Sequence, residues 1–227
     1  MVVLVILIGF KAYEWWQNQA PDRNSSIQRI EEGQFAEKFT PVKTSGAGLE
    51  YIENCKLIMG RNSDGDSFHV KHSGGKENEF RLYFVDTPES EYKTYRGGDN
   101  NGERLDEQGE YFDGLDREGM TEIGTDAKKF VLGLLKKEPF QVLTKWEDVV
   151  RPGREYCFVI VKWEGKEVYL HELLVAQGLV RVHTQGADLP DGRSWKQQKD
   201  YLRKWEKEVR KAGIGAWGYS SKEEEGE

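Results

Sequence analysis

Short apolar and alternating runs, each broken by glycine or aspartate, begin near Tyr51 and set the character of the chain. They fall at 54–61, 67–72, 79–85, 140–146 and 156–163, with a shorter piece at 166–170, and each predicts a strand. Helical spacing enters at three places. Ala127, Phe130, Val131, Leu134 and Leu135 share a face between Thr125, which can cap a helix, and Pro139, which ends one. Leu170, Leu173, Leu174 and Gln177 precede Gly178, the expected left-handed terminator. Ser194 opens a longer amphipathic stretch in which Trp195, Leu202, Trp205, Val209 and Ala212 recur, stopped at Gly213. Trp195, Trp205 and Trp217 fall at packing positions and read as core. The order is strands, helix, strands, helix, helix. It predicts an α+β domain, mainly β, built on a small barrel rather than a parallel sheet.

The flanks differ from this body. Met1 to Phe10 is the most apolar stretch of the chain, interrupted by Lys11 and followed by Trp15 and Trp16. It matches the core of a secretory signal and is short for a membrane span of about 20 residues. Residues 1–16 therefore read as a signal peptide or membrane anchor, with a buried N-terminal strand as the alternative. Either of the first two places the domain outside the cytoplasm, secreted, periplasmic or anchored. Residues 17–49 lack periodicity and contain Pro21, Pro41 and a Ser-Gly-Ala-Gly run, the composition of a polar tether or a loosely packed extension. Within the domain at 50–219, residues 90–123 form a charged insert with a loop at 97–102 and two candidate short helices at 103–112 and 116–123. Such a connection covers a site or is solvated surface. Residues 220–227 read as a disordered acidic tail.

The chain has 33 basic and 40 acidic residues, a balance that at first argues against nucleic acid as a partner. Its distribution removes the objection. Residues 89–123 hold 11 acids and 4 bases and residues 220–227 hold 4 acids and 1 base, which leaves the rest of the chain at +3. Cys55 and Cys157 lack metal-ligand spacing and lie on separate predicted strands, so they either pair across neighbouring strands or remain two buried thiols.

Candidate chemistry concentrates in residues 64–89. Asp64-Gly65-Asp66-Ser67-Phe68 precedes a strand, Arg81 lies on the next, and Asp86-Thr87-Pro88-Glu89 closes it. Clustered carboxylates are costly to desolvate, and a fold that gathers them beside an Arg usually holds a cation and an anionic substrate. Together with Gly153-Arg154 before an apolar strand, Glu172-Leu173-Leu174-Val175 with Gln177-Gly178-Leu179, and Ile214 to Trp217, these blocks resemble the staphylococcal nuclease family over about residues 50–219.

The resemblance implies an OB-type five-stranded barrel with three helices. It implies that Asp66, Asp86 and the Thr87 carbonyl bind Ca²⁺, with Asp64 as an accessory acid. Glu89 would orient or deprotonate the attacking water, while Arg81 and Arg154 would grip the phosphate during in-line attack. In that family cleavage leaves a 3′-phosphate. The chain departs from the pattern at Arg181-Val182-His183-Thr184-Gln185-Gly186, where the family's substrate-stacking tyrosines are absent. Arg181 and His183 either take over a substrate contact or lie on the surface, and His69, His72 and His171 read as structural or surface residues. The expectation is a monomeric Ca²⁺-dependent nuclease acting on DNA, RNA or both, with a possible membrane tether and no protein partner evident. The alternatives are a non-catalytic OB-fold module that binds nucleic acid or protein at the cell envelope, and an envelope structural protein.

Overall fold

The computed structural model describes residues 27–61 and 63–219. The expected signal or anchor at 1–16 and the acidic tail at 220–227 lie outside the described residues. In chain order the elements are β1 (Glu50–Leu57), β2 (Ser67–Lys71), β3 (Glu77–Leu82), β4 (Val85–Asp86), α1 (Gly102–Tyr111), α2 (Arg117–Lys137), β5 (Phe140–Val149), β6 (Arg151–Trp163), β7 (Lys166–Tyr169), α3 (Leu170–Ala176), β8 (Arg181–Val182) and α4 (Trp195–Lys211). Among the described residues no helix is long and apolar enough to cross a membrane.

Five strands close into a barrel. β1 lies between β2 and β5, β2 pairs with β3, and β5 pairs with β6, all antiparallel. The ring closes where β3 and β6 run parallel, with Glu79 opposite Arg154 and Leu82 opposite Cys157. This order, with α2 joining the third and fourth barrel strands, is the OB-type barrel, and the domain is α+β, mainly β. β7 extends β6 as a hairpin. A separate two-stranded ribbon, β4 with β8, sets Asp86 opposite Arg181. Closure requires strands to bend, and the bends sit at register shifts. β1 shifts between Ile52 and Cys55, and β5 between Thr144 and Asp148. Asn54 and Trp146, with φ of 55° and 60°, take the left-handed conformation there.

Among the described residues three α-helices stand where helical spacing put them and a fourth, α1, is the first of the two insert candidates, while α2 begins earlier than its periodicity suggested. The segments at 116–123 and 125–137 are one helix, capped by the Asp116 side chain, which accepts from the Gly119 N–H at 2.8 Å. Met120, Ile123, Ala127, Val131 and Leu135 form its buried stripe. Gly119 and Gly124 lie on the same buried face, and their lack of a side chain hid the first half of that stripe from an apolar count. At α4 the expected stop signals hold. Ser194 and Gln197 make a reciprocal capping box, and Gly213 follows with φ of 63°.

Of the two readings of residues 17–49, the described part is a packed extension and not a tether. Residues 27–49 form no helix or strand, yet Ile27 and Ile30 join the buried core. Phe35 and Phe39 meet the Trp205 ring edge-on, at centroid distances of 6.1 and 5.2 Å. Thr40 donates its N–H to Glu172 at 2.8 Å and its hydroxyl to the same carboxylate. Local polarity made this segment look solvated, because its few apolar residues lack a regular period. Trp205 is buried and Trp217 partly buried, but Trp195 is 43% exposed at the start of α4, contrary to its reading as core. Cys55 and Cys157 are both buried and unpaired. Burial pushes the Cys55 thiol up to about 12 and the Cys157 thiol well above its ordinary value, so both stay protonated.

A chain beginning at residue 50 should therefore be less stable than one beginning at residue 27. The expected loss is about 3 kcal/mol or more, from burial of two isoleucines alone. Urea unfolding followed by tryptophan fluorescence measures it, and equal midpoints would show that the segment contributes nothing.

Candidate active site

The acids and arginines anticipated from the sequence meet at one end of the barrel, where the β1–β2 connection, β3 and the β4–β8 ribbon converge. Asp64 shapes the first turn, its Oδ1 accepting from the N–H groups of Ser67 at 2.8 Å and Asp66 at 3.3 Å. Gly65 has to be glycine for this turn to pack. A Cβ there would stand 2.6 Å from the Thr87 methyl and 3.1 Å from Ala127 on α2.

Asp66 and Asp86 are almost wholly buried, and Arg81 bridges them. Its Nη1 donates to Asp66 Oδ1 at 3.1 Å and its Nη2 to Asp86 Oδ1 at 2.6 Å. The other Asp66 oxygen accepts the Thr87 N–H at 2.9 Å. Ser67 Oγ donates to Asp66 Oδ1 at 2.8 Å and accepts from Arg154 Nη2 at 2.5 Å, so a single hydroxyl links Arg154 to the acid pair. The parallel β3–β6 register fixes Arg154 there, opposite Glu79, whose carboxylate lies 3.2 Å from its Nε.

Asp86 carries more partners than its sequence neighbourhood suggested. Its Oδ1 also accepts from Arg104 Nη2 at 2.7 Å, and its Oδ2 from Arg181 Nε at 2.8 Å and Gln108 Nε2 at 3.1 Å. The Arg181 side chain is thus buried on Asp86, neither on the surface nor turned to an open substrate site, whereas His183 is exposed. Burial alone would raise the Asp86 carboxyl, but Arg104, Arg81 and Arg181 outweigh it and hold it below the ordinary carboxylate range. Asp66 goes the other way. Burial pushes it up to about 7, against the pull of Arg81 and with a further push from Asp64 and Asp86. The two carboxylates are therefore electrostatically unlike, Asp86 pulled down by its guanidinium partners and Asp66 pushed up by burial.

Arg104 and Gln108 come from the charged insert. They stand four residues apart on α1 and so project from one face. Gln108 is fully buried and spends its whole amide on the site. Nε2 donates to Asp86 and to the Thr87 carbonyl, each at 3.1 Å, while Oε1 accepts the Glu89 N–H at 3.1 Å. Arg104 Nε lies 2.8 Å from Glu89 Oε1 without the alignment of a hydrogen bond. The insert helix is itself anchored, since the Tyr111 hydroxyl donates to the Glu206 carboxylate of α4. Of the two roles the sequence left open, this part of the insert walls the site. From the other side α2 presses directly on the backbone that carries Glu89. A Cβ at Gly124 would stand 2.4 Å from the Glu89 carbonyl oxygen and 2.6 Å from that of Pro88. Sequence reading missed Arg104 and Gln108, although their four-residue spacing on a predicted short helix marked them as one face.

Among the described residues no group of three or more His, Cys, Asp or Glu side chains is arranged to hold a metal ion. The expected Ca²⁺ donors, Asp66, Asp86 and the Thr87 carbonyl, do gather, and they fit a hard cation in kind, since all are oxygens. The cation now between the two carboxylates is the Arg81 guanidinium, and the Thr87 carbonyl accepts from Gln108. A cation held by Asp66, Asp86 and the Thr87 carbonyl would have to displace those two side chains.

The chain matches no family model and no curated protein. Among solved structures it is similar to the extended Tudor domain of Tudor-SN (p100) from Drosophila melanogaster, at 14% identity and a TM-score of 0.36. That match covers 95% of this chain and 87% of the other. A likeness of this size carries no argument about chemistry, and the barrel assignment stands on the strand pairings.

Replacing Gln108 by Leu keeps the volume but orphans the Thr87 carbonyl, the Glu89 N–H and one Asp86 lone pair. The expected cost is about 2–4 kcal/mol of stability, read from denaturant midpoints. A change below about 0.5 kcal/mol would show that water replaces the amide without penalty.

Proposed function

We propose that this chain is a phosphodiester hydrolase of the staphylococcal nuclease family, acting on DNA or RNA. The observation that carries the reading is the convergence of Arg81 and Arg154, joined through Ser67 Oγ, on the buried acids Asp66 and Asp86, with Glu89 beside them through Arg104. A phosphodiester brings an anion that guanidinium groups bind through paired N–H donors, and the site presents such donors in excess of what a structural ion pair needs.

In the proposed reaction a water oxygen attacks phosphorus in line with the leaving oxygen, which departs with the bonding pair. Glu89 accepts the proton of that water. Arg81 and Arg154 hold the non-bridging oxygens and stabilise the charge that builds on them. Ca²⁺, when bound, supplies further neutralisation of that charge. Arg81 then exchanges its present carboxylate partners for phosphate, which a long flexible side chain does without backbone movement. Residues 1–16 are proposed to export or anchor the domain, with the nuclease body outside the cytoplasm.

A second reading has its own observation. All four lone-pair positions of Asp86 are filled and Glu89 is paired with Arg104, so the acids are neutralised where they stand. A domain of this kind binds an anionic strand through its arginines and leaves it intact.

Incubation with single- and double-stranded DNA and RNA, with Ca²⁺ or with chelator, separates the two. The nuclease reading expects cleavage that chelator abolishes, and a fall in kcat of about 100-fold or more for Glu89→Gln and for Arg154→Lys with the fold retained. Binding without cleavage in every condition would leave the second reading standing, and near-normal rates in the variants would refute the roles of Glu89 and Arg154.

A further inference from the structure

Four guanidinium groups meet at the acids, and they are not equally free to change partner. Arg81 and Arg181 are buried, and Arg81 is the guanidinium that Asp66 holds. Taking Arg81 away strands a buried carboxylate. Arg104 differs in both respects. Its side chain is 42% exposed, and Asp86 without it keeps Arg81, Arg181 and Gln108. Its other carboxylate, Glu89, is 25% exposed, so water can replace the guanidinium there. Arg104 is therefore the member of the cluster that a ligand detaches at least cost.

Its unused donors indicate what that ligand is. A guanidinium carries five N–H groups, and Arg104 spends only Nη2, on Asp86 at 2.7 Å. Nε lies 2.8 Å from Glu89 Oε1 out of alignment and is buried with no hydrogen-bond partner. Among the described residues Nη1 donates no hydrogen bond either. A buried N–H without an acceptor is rare and points to an acceptor that a ligand supplies. Arg154 shares this condition. Its Nε is buried without a hydrogen-bond partner, 3.2 Å from the Glu79 carboxylate. Acceptor oxygens that match several guanidinium donors at once are those of a phosphate.

The geometry allows the exchange. Arg104 Nη2 and Arg81 Nη2 donate to the same Asp86 oxygen, at 2.7 and 2.6 Å. Two nitrogens that share one acceptor oxygen are close enough to share one phosphate. The helix need not move, because Gln108 is fully buried on the site and Tyr111 is tied to Glu206 of α4. Rotation of one half-exposed side chain is enough. We propose that Arg104 is a third phosphate ligand of the site, supplied by the insert and lying outside the blocks that carry the nuclease resemblance. Its guanidinium turns from Asp86 and Glu89 onto the phosphodiester beside Arg81. This role rests on the phosphodiester reading.

The test uses the full chain carrying Glu89→Gln, which keeps the probe intact and removes the carboxylate that Arg104 would serve if it were only a counter-ion. Anisotropy of a labelled single-stranded DNA oligomer is read across a salt series. Arg104→Met should weaken binding about ten-fold. It should also make the plot of log affinity against log salt shallower by about 0.7, the share of one phosphate contact on a single strand. Arg104→Lys, which keeps the charge and loses the fork, should retain the slope and recover part of the affinity. Arg117→Met removes an equal charge from the same insert, where Asp106 holds it through two 2.6 Å bonds, and should change neither quantity. An unchanged slope for Arg104→Met, whatever its affinity, or an equal loss for Arg117→Met overturns the third ligand and leaves Arg81 and Arg154 as the phosphate site. If Arg104→Met does not fold, Arg104→Lys decides, since affinity equal to that of the parent overturns the contact. Failure of the parent to bind overturns the ligand and the phosphodiester reading together. A loss confined to Arg104 in a protein that never cleaves supports the ligand and removes only the hydrolase.

Discussion

Burying two carboxylates within reach of one guanidinium is the constraint on which the rest of this structure turns. Asp66 and Asp86 cannot both be stripped of water beside each other without compensation, since an unpaired buried charge costs several kcal/mol. Arg81 supplies part of it, and the surrounding elements supply what is left: Thr87 N–H, Ser67 Oγ, Arg181 from β8, Arg104 and Gln108 from α1. The β4–β8 ribbon, too short to be stable alone, gains its place in the fold by setting Asp86 opposite Arg181. Compensation is unequal, and the inequality differentiates the acids. Asp86, with three guanidinium partners, is held below the ordinary carboxylate range, while burial pushes Asp66 above it.

Close backbone approach is the second means of fixing the geometry. Gly65 lets the Asp64–Asp66 turn sit against Thr87 and Ala127, and Gly124 lets α2 rest on the carbonyls of Pro88 and Glu89. The two glycines clamp the segment from Asp86 to Glu89 between the barrel rim and a long helix. A side chain at either position would push against backbone or a packed methyl, and Glu89 would move with it.

Much of this was legible in the residues themselves, for reasons that are local. Asp66, Arg81 and Asp86 lie within 21 residues and two short strands, so their proximity follows from a hairpin. Arg154 lies 65 residues beyond Glu89, and only the likeness of several separated blocks tied it to the same place. Arg104 and Gln108 were missed because a short helix in an acidic insert gives no apolar face to say which way it turns. The first half of α2 was missed because its close contacts are made by glycines, which add nothing to a hydrophobic pattern. The segment at 27–49 left tether and packed extension both open because it has no period, and burial without regular structure leaves no periodic signal. The five barrel strands, by contrast, alternate because one face of each meets the core, and they were found, whereas the two-residue β8 was not expected.

The parallel pairing of β3 with β6 has a kinetic side. Glu79 and Arg154 are 75 residues apart, and bringing them together means closing a long loop, with its entropy lost before any contact repays it. Arg81 and Arg154 sit on those two strands, so their meeting at Ser67 and the sealing of the ring are one event. A partly folded chain can hold the β2–β3 hairpin and its acids, but it lacks the second arginine until the barrel shuts. The acid–arginine cluster is therefore complete only in the native topology.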